Sequence, residues 1–302
     1  MLNSEEIKRN AINIGFQDCG IARAEFLKDE SQLFRNSLTE NKHAKMAFLE
    51  RNIDARFNPE SLLPNCKTVV VVTYNYLTTD SQNTNKYLIA KYAHIEDYHI
   101  VVKELLERLS EIILAKYPTI RYSITVDSSA ISEKNWAMRS GVGCYGKNGL
   151  IHNKYGSYFV LGTLLLDCFC DEYDKPLRKS DCGNCNLCVI NCPTNALETP
   201  YLVNANKCIS YLNTEDKNPN YNELAKQKFI FGCDICQDVC PKNKKNIVNE
   251  LNETKTSLFL PLKNSDYENL NLEEFSRYFS KTSILRRNFQ RFQKIIEAKK
   301  QE

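Results

Sequence analysis

Eight of the 13 cysteines in this chain lie between residues 182 and 240, in two sets. The first is Cys182-x2-Cys185-x2-Cys188-x3-Cys192-Pro193, and the second is Cys208 followed by Cys233-x2-Cys236-x3-Cys240-Pro241. Three thiolates at such short intervals wrap one face of an iron–sulfur cubane, and a fourth, three residues on and followed by proline, turns away to ligate the neighbouring cluster. Eight thiolates match two [4Fe–4S] clusters at four ligands each. The spacing predicts Cys182, Cys185, Cys188 and Cys240 on one cluster, and Cys192, Cys208, Cys233 and Cys236 on the other. With 24 residues between Cys208 and Cys233, the second half departs from a plain ferredoxin and implies an inserted helix or loop. Structural zinc and a disulfide framework are the competing readings. Zinc wants paired Cys-x2-Cys without a third thiolate at the same interval, and disulfides need an oxidising compartment that nothing in the first residues indicates. The other five, Cys19, Cys66, Cys144, Cys168 and Cys170, read as small apolar core residues.

Clusters move electrons, so a reaction site is expected elsewhere. The candidate runs from Val126-Asp127-Ser-Ser-Ala-Ile-Ser-Glu133-Lys134 into Gly141-Val-Gly143-Cys-Tyr-Gly146-Lys147-Asn148-Gly149. Asp127 follows a predicted strand, the usual mouth of an α/β site. Four glycines in nine residues allow backbone to approach a bulky flat ligand, with Lys147 and Asn148 offering a cation and an amide to its polar edge. The plain alternatives are a tight turn for the glycines and a helix cap for the aspartate.

The elements that must position these groups are legible from periodicity. Asn3 with Glu6 resembles a capping box opening a helix through Asn13. Lys67–Tyr74 is a β-branched run typical of a strand buried on both faces. Val101, Val102, Leu105, Leu109, Ile112 and Ile113 repeat at helical spacing between Tyr98 and Tyr117. Ile120–Val126 and Tyr158–Leu166 read as further strands. The expected class is α+β or α/β, in three parts: an α/β catalytic domain over 1–170, a ferredoxin-like two-cluster domain over 171–254 in which metal substitutes for a large core, and a C-terminal helical segment over 255–302.

At 302 residues, 42% hydrophobic and 25% charged, the chain is an ordinary globular protein, and its formal charge of +3 specifies no partner. No apolar run approaches the ~20 residues that span a bilayer, and the start is amphipathic, so a cytoplasmic protein without membrane attachment is expected. Near the end, Leu285, Phe289, Phe292 and Ile296 share a helical face, with Arg287, Arg291 and Lys294 on another. That helix either docks by its apolar face or presents its basic face to RNA phosphates.

Arg56-Phe-Asn-Pro59, Tyr92-Ala with Asp97-Tyr98-His99, Val-Asp127-Ser, the Gly-x-Gly-x-x-Gly-Lys147-Asn148 loop and both cysteine sets occur together and in order. In that combination the chain resembles the epoxyqueuosine reductases, which are related to reductive dehalogenases. The resemblance covers most of the sequence and implies base-off cobalamin beside two [4Fe–4S] clusters. Cob(I)alamin would be recharged one electron at a time from an external low-potential donor. It implies a monomer acting on tRNA with a GUN anticodon, reducing epoxyqueuosine to queuosine. Asp127 would be the general acid, with a pKa raised by burial. Arg56, Tyr98, Lys134, Lys147 and Asn148 would contact cobalamin. None of the four histidines, His43, His94, His99 and His152, lies in an Asp-x-His-x-x-Gly signature, so no histidine ligand to cobalt is indicated. Ala130 stands where relatives usually have proline and Cys144 where they commonly have tryptophan, and the C-terminal extension is short. The rival functions are a corrinoid reductase of a small molecule and a dicluster electron carrier.

Overall fold

A computed structural model describes residues 1–177, 180–245, 247–249 and 257–301. The first half contains α1 (Ser4–Asn13), β1 (Asp18–Arg23), α2 (Lys28–Thr39), α3 (Ile53–Phe57), β2 (Thr68–Asn75), β3 (Leu88–Ile89), α4 (Tyr98–Lys116), β4 (Tyr122–Thr125), α5 (Glu133–Arg139), β5 (Cys144–Tyr145), β6 (Ile151–His152) and β7 (Phe159–Leu166). Asn3 accepts from the Glu6 N–H and opens α1 as expected. The predicted strands and the long helix are present, trimmed by a residue or more at most ends.

The main sheet has the order β1-β2-β7-β4. Every neighbouring pair is antiparallel, with Val70 opposite Leu164 and Ile124 opposite the same Leu164. All eight residues of β2 are buried. Its side chains alternate between faces: Val70 and Val72 pack toward α1 and α4, whereas Val69 and Val71 pack with Leu27, Phe57, Trp136 and Ala137 on the opposite side. Continuous β-branched character therefore records burial on both faces, although the strand neighbours run antiparallel.

The second half contains α6 (Leu187–Ile190), α7 (Ile209–Thr214), α8 (Tyr221–Ala225), β8 (Phe229–Phe231), α9 (Ile235–Asp238), α10 (Asn264–Glu268), α11 (Leu272–Tyr278) and α12 (Phe289–Lys300). The 24 residues between Cys208 and Cys233 thus fold into α7, α8 and β8. β8 pairs in parallel with β3, and Tyr87 and Ile89 join Leu224, Ile230, Phe231, Phe259, Phe275, Phe279 and Phe292 in one core. The Phe279 ring lies 5.0–5.2 Å from those of Phe259, Phe275 and Phe292. Packing thus ties the stretch around residue 88 to the cysteine-bearing segment and the C-terminal helices. The boundary expected at 254/255 falls outside the described residues.

Helix α12 docks. Phe292, Ile295 and Ile296 are buried, and the Lys299 ammonium donates to the Ala225 and Gln227 carbonyls. The basic side chains engage protein: Arg287 pairs with Glu215, Arg291 donates to the Asp216 carbonyl and Lys294 lies over the Tyr221 ring. Leu285 does not join the apolar face and is exposed.

Candidate active site

Charge coupling among the cysteines runs mostly within the two expected sets, with Cys188 of the first also reaching Cys236 of the second. Burial raises the Cys188 thiol, and Cys182, Cys240 and Cys185 add to the shift by their charge. Burial likewise pushes Cys233 up to about 12, reinforced by Cys208 and Cys192. Cys236 rises through burial and then through Cys233 and Cys208. Four mutually repelling thiolates per group are stable only around a cation, and metal coordination substitutes for the protons they would otherwise keep. Cys188 sits in α6 and Cys236 in the packed helix α9, so each half contributes one helical ligand position. The Ala196 N–H points at the Cys192 sulfur at 3.3 Å, and the Asn148 side chain hydrogen-bonds Cys236. Such bonds tune cluster potential.

A cavity of about 350 Å³ opens beside the second group alone. Cys192, Cys208, Cys233 and Cys236 all line it, opposite Tyr98, Asn148, Leu150, Phe159 and Val160. A second cavity, of about 170 Å³, shares Tyr98, Leu150, Ser157, Phe159 and Val160 and adds Asp127, Glu133 and Lys134. Apolar walls with a few convergent polar groups suit a large flat cofactor. Among the described residues no histidine lines either cavity.

Asp127 follows β4 in the left-handed region, at φ 55°, a conformation aspartate tolerates better than most residues and one that clusters at functional sites. Its Oδ2 accepts from the Tyr98 hydroxyl at 2.9 Å and pairs with His99 Nε2 at 3.2 Å, while its backbone N–H donates to Glu133 Oε1 at 3.0 Å. The N-terminus of α4 delivers the first two. Asp97 caps that helix, and its Oδ1 accepts from His99 N and Nδ1 at 3.1 and 2.7 Å; Arg286 Nε donates to its Oδ2 at 2.7 Å. A continuous chain therefore runs Arg286–Asp97–His99–Asp127–Glu133.

Electrostatics along this chain correct the expected acid. The His99 hydrogen bond, aided by Tyr98 and working against burial, holds Asp127 below its ordinary value. The direction is opposite to the one expected of Asp127 beside an apolar corrin face: its side chain is 61% exposed and a cation stands beside the carboxylate. Burial opposes charge on His99, but the bonds to Asp127 and Asp97 outweigh it and raise the imidazole to about 9. At neutral pH the proton sits on His99. Burial raises Glu133 to about 8, so that carboxyl also holds a proton.

Of the expected cobalamin contacts, Tyr98, Lys134 and Asn148 line the cavities. The Lys134 ammonium donates to the Gly149 carbonyl at 2.8 Å, and its enclosure pulls it below the usual lysine value. Arg56 and Lys147 line neither cavity. The Arg56 guanidinium donates to the Phe48 carbonyl at 2.6 Å, and its own carbonyl accepts from Ser132, bracing the loop after Asp127. Lys147 Nζ donates to Gly183 O and Asn186 Oδ1, each at 2.8 Å, and so ties the glycine loop to the first cysteine group. Cys19, Cys66, Cys144 and Cys170 are buried as expected, with Cys168 partly exposed. Cys144 lies 3.9 Å from His152 Nε2, whose other sulfur neighbour, at 3.8 Å, is Cys182. Residue reasoning placed His99 beside Tyr98 but did not link Asp97, His99, Asp127 and Glu133 into one hydrogen-bonded chain. The signal was the Asp97-Tyr98-His99 triplet at a helix start.

Two cysteine sets at cluster spacing, a cavity lined by four of these cysteines and the linked Asp127–His99 pair beside it are features of an iron–sulfur oxidoreductase. Residues 56–128 match the family model described as Epoxyqueuosine reductase QueG, DUF1730, and residues 181–243 match a 4Fe-4S double cluster binding domain. The epoxyqueuosine reductase of Cyclobacterium marinum is 36% identical over 99% of this chain and 97% of its own length, and that of Leadbetterella byssophila is 39% identical over 94% and 93%. The chain belongs to the epoxyqueuosine reductase family. A crystal structure of a selenomethionine-labelled epoxyqueuosine reductase superposes with a TM-score of 0.86 at 28% identity, over 98% of this chain and 80% of that one. An epoxyqueuosine reductase crystallised with an epoxyqueuosine-modified tRNA-Tyr stem loop gives a TM-score of 0.85 at 28% identity and the same coverage. Among the described residues no helix is long and apolar enough to cross a membrane.

Proposed function

We propose that this chain reduces the epoxide of epoxyqueuosine in tRNA to the alkene of queuosine, with Asp127 and His99 as the acid pair. The observation that carries the reading is a cavity lined by four of the cysteines that shares Tyr98, Leu150 and Phe159 with the neighbouring Asp127 cavity. Cys192, Cys208, Cys233 and Cys236 hold the inner cluster. Cys182, Cys185, Cys188 and Cys240, which line neither cavity, hold the outer one, where an external donor delivers electrons singly. Tyr98, Lys134 and Asn148 would hold cobalamin against apolar Leu150 and Val160. When bound, cobalamin supplies two electrons of low potential.

The chain's own residues supply the acid. His99 holds the proton at Nε2, facing Asp127 Oδ2 at 3.2 Å, and Asp97 fixes the ring through Nδ1. The proton passes by way of Asp127 Oδ2 to the oxygen that the epoxide releases. Tyr98 keeps that carboxylate in place until then. General acid catalysis of this type contributes about 10²–10⁴-fold. The tRNA substrate rests on family membership and on the relative crystallised with the modified stem loop. Eight cysteines kept reduced for cluster assembly support a cytoplasmic location.

The test is tRNA from cells lacking this protein. Epoxyqueuosine should accumulate there and disappear when the reconstituted protein, cobalamin and a low-potential reductant are added. Asp127→Asn should keep its iron and bind corrinoid while losing turnover. Persistence of the epoxide with the wild-type protein would refute the substrate, and full turnover by Asp127→Asn would remove that residue from the chemistry.

A further inference from the structure

Converting an epoxide to an alkene and water consumes two electrons and two protons. Both C–O bonds break, the two carbons retain an electron pair as the new π bond, and the oxygen leaves with both protons. The His99–Asp127 pair stores one proton. Once it has been given up, neutral His99 beside the Asp127 carboxylate is a weak donor, yet a second C–O bond has still to break.

We propose that Glu133 is the second acid of the site: its carboxyl lines the Asp127 cavity and delivers the proton with which the oxygen departs as water. This rests on the epoxide-reductase reading above. Four titratable side chains line that cavity, namely Tyr98, Asp127, Glu133 and Lys134. Tyr98 directs its hydroxyl proton to Asp127, and Lys134 donates to the Gly149 carbonyl. Asp127 is the carboxylate of the first pair. Glu133 differs from all three. Its Oε1 accepts the Asp127 N–H at 3.0 Å, which fixes the carboxyl against the loop that carries Asp127. Residue 133 is the first of α5, a position where helix polarity favours the ionised form. Burial and the adjacent Asp127 charge override that preference, opposed by His99, Lys134 and the Asp127 N–H, and lift the carboxyl to about 8. Glu133 is therefore loaded at neutral pH without drawing on the His99 proton. After turnover it is a carboxylate, and solvent reloads it.

A merely structural Glu133 would brace Asp127 through Oε1, and glutamine keeps that acceptor. The experiment is single-turnover reduction of epoxyqueuosine-tRNA by the fully loaded Glu133→Gln enzyme across pH 6 to 10. The expected result is a rate about 10²-fold below wild type with substrate affinity unchanged. The alkaline limb, set near pH 8 by Glu133 in the wild type, should move toward 9, where His99 titrates. Infrared difference spectra of the loaded wild-type protein should show a carboxylic-acid C=O band at pH 7 that disappears in Glu133→Gln. An undiminished rate with the limb still near pH 8 would overturn the proposal, as would absence of that band. Failure of the wild-type enzyme to consume the epoxide would instead overturn the reading on which it rests.

Discussion

Asp97 shares with Asp127 the task of keeping a proton on His99, and Asp97→Asn exposes the size of its part. The two side chains are 6% and 14% exposed, so solvent screens their interaction weakly. Raising His99 from 6.5 to about 9 corresponds to about 3 kcal/mol in favour of the charged ring. Because the folded-state value is the higher one, that stabilisation is fully present below pH 6.5 and is lost as pH rises through about 9. Asp97 contributes both a hydrogen bond and a charge to it. Asparagine cannot replace this arrangement. Oδ1 of Asp97 accepts two N–H groups of His99 and Oδ2 accepts Arg286, so an amide NH2 faces a donor in either orientation. One buried donor is then left unsatisfied, costing about 1–3 kcal/mol. The His99 midpoint should fall by at least about one pH unit, taking the charged fraction at pH 8 from about 0.9 to about 0.5 or less. Deuterium exchange at the imidazole C2 position, read by mass spectrometry, reports each of the four histidines separately. A wild-type His99 midpoint close to 6.5, or one that stays near 9 in Asp97→Asn, would refute the account.

The same exchange experiment should find His94 uncharged until about pH 4, because burial depresses it while Nε2 contacts the Ile89 carbonyl at 2.9 Å. Stability from the neutral His94 ring is present above pH 6.5 and is lost as pH falls through about 4, which acid-induced unfolding measures. Cys233→Ser should lower iron from about eight to about four per chain and abolish turnover while the outer cluster's visible absorption remains. Gly20→Ala should collapse the yield of folded protein or lower Tm sharply, because its Cβ would sit 2.1 Å from the Ser140 carbonyl oxygen and 2.7 Å from Val142. A normal melting temperature in that variant would show that β1 and the end of α5 are not packed as described.

What was legible in the residues follows from how locally each constraint acts. A cubane dictates spacings of two and three residues, so the cysteine groups are readable without any knowledge of the fold. A strand covered on both faces must be apolar at every position, which made Thr68–Asn75 equally plain. The antiparallel sheet was not readable, because pairing partners such as Val70 and Leu164 are set by distant chain. Asp127 stood out at a strand end, but the direction in which its neighbours shift it did not. The cation that lowers it, His99, lies 28 positions away and meets it only where the start of α4 faces the end of β4. Glu133 posed the reverse difficulty: it looks like a helix-opening acid, and only enclosure beside Asp127 raises its carboxyl to about 8. Lys147 was drawn toward the chamber by its neighbour Asn148, yet its long side chain reaches the opposite way, to Gly183 and Asn186.

One wall of the chamber consists of Cys192, Cys208, Cys233 and Cys236, drawn from three separate stretches of chain. A metal centre bound by all four would cross-link those stretches, so losing the inner cubane should loosen a wall of the corrinoid cavity as well as cut its electron supply.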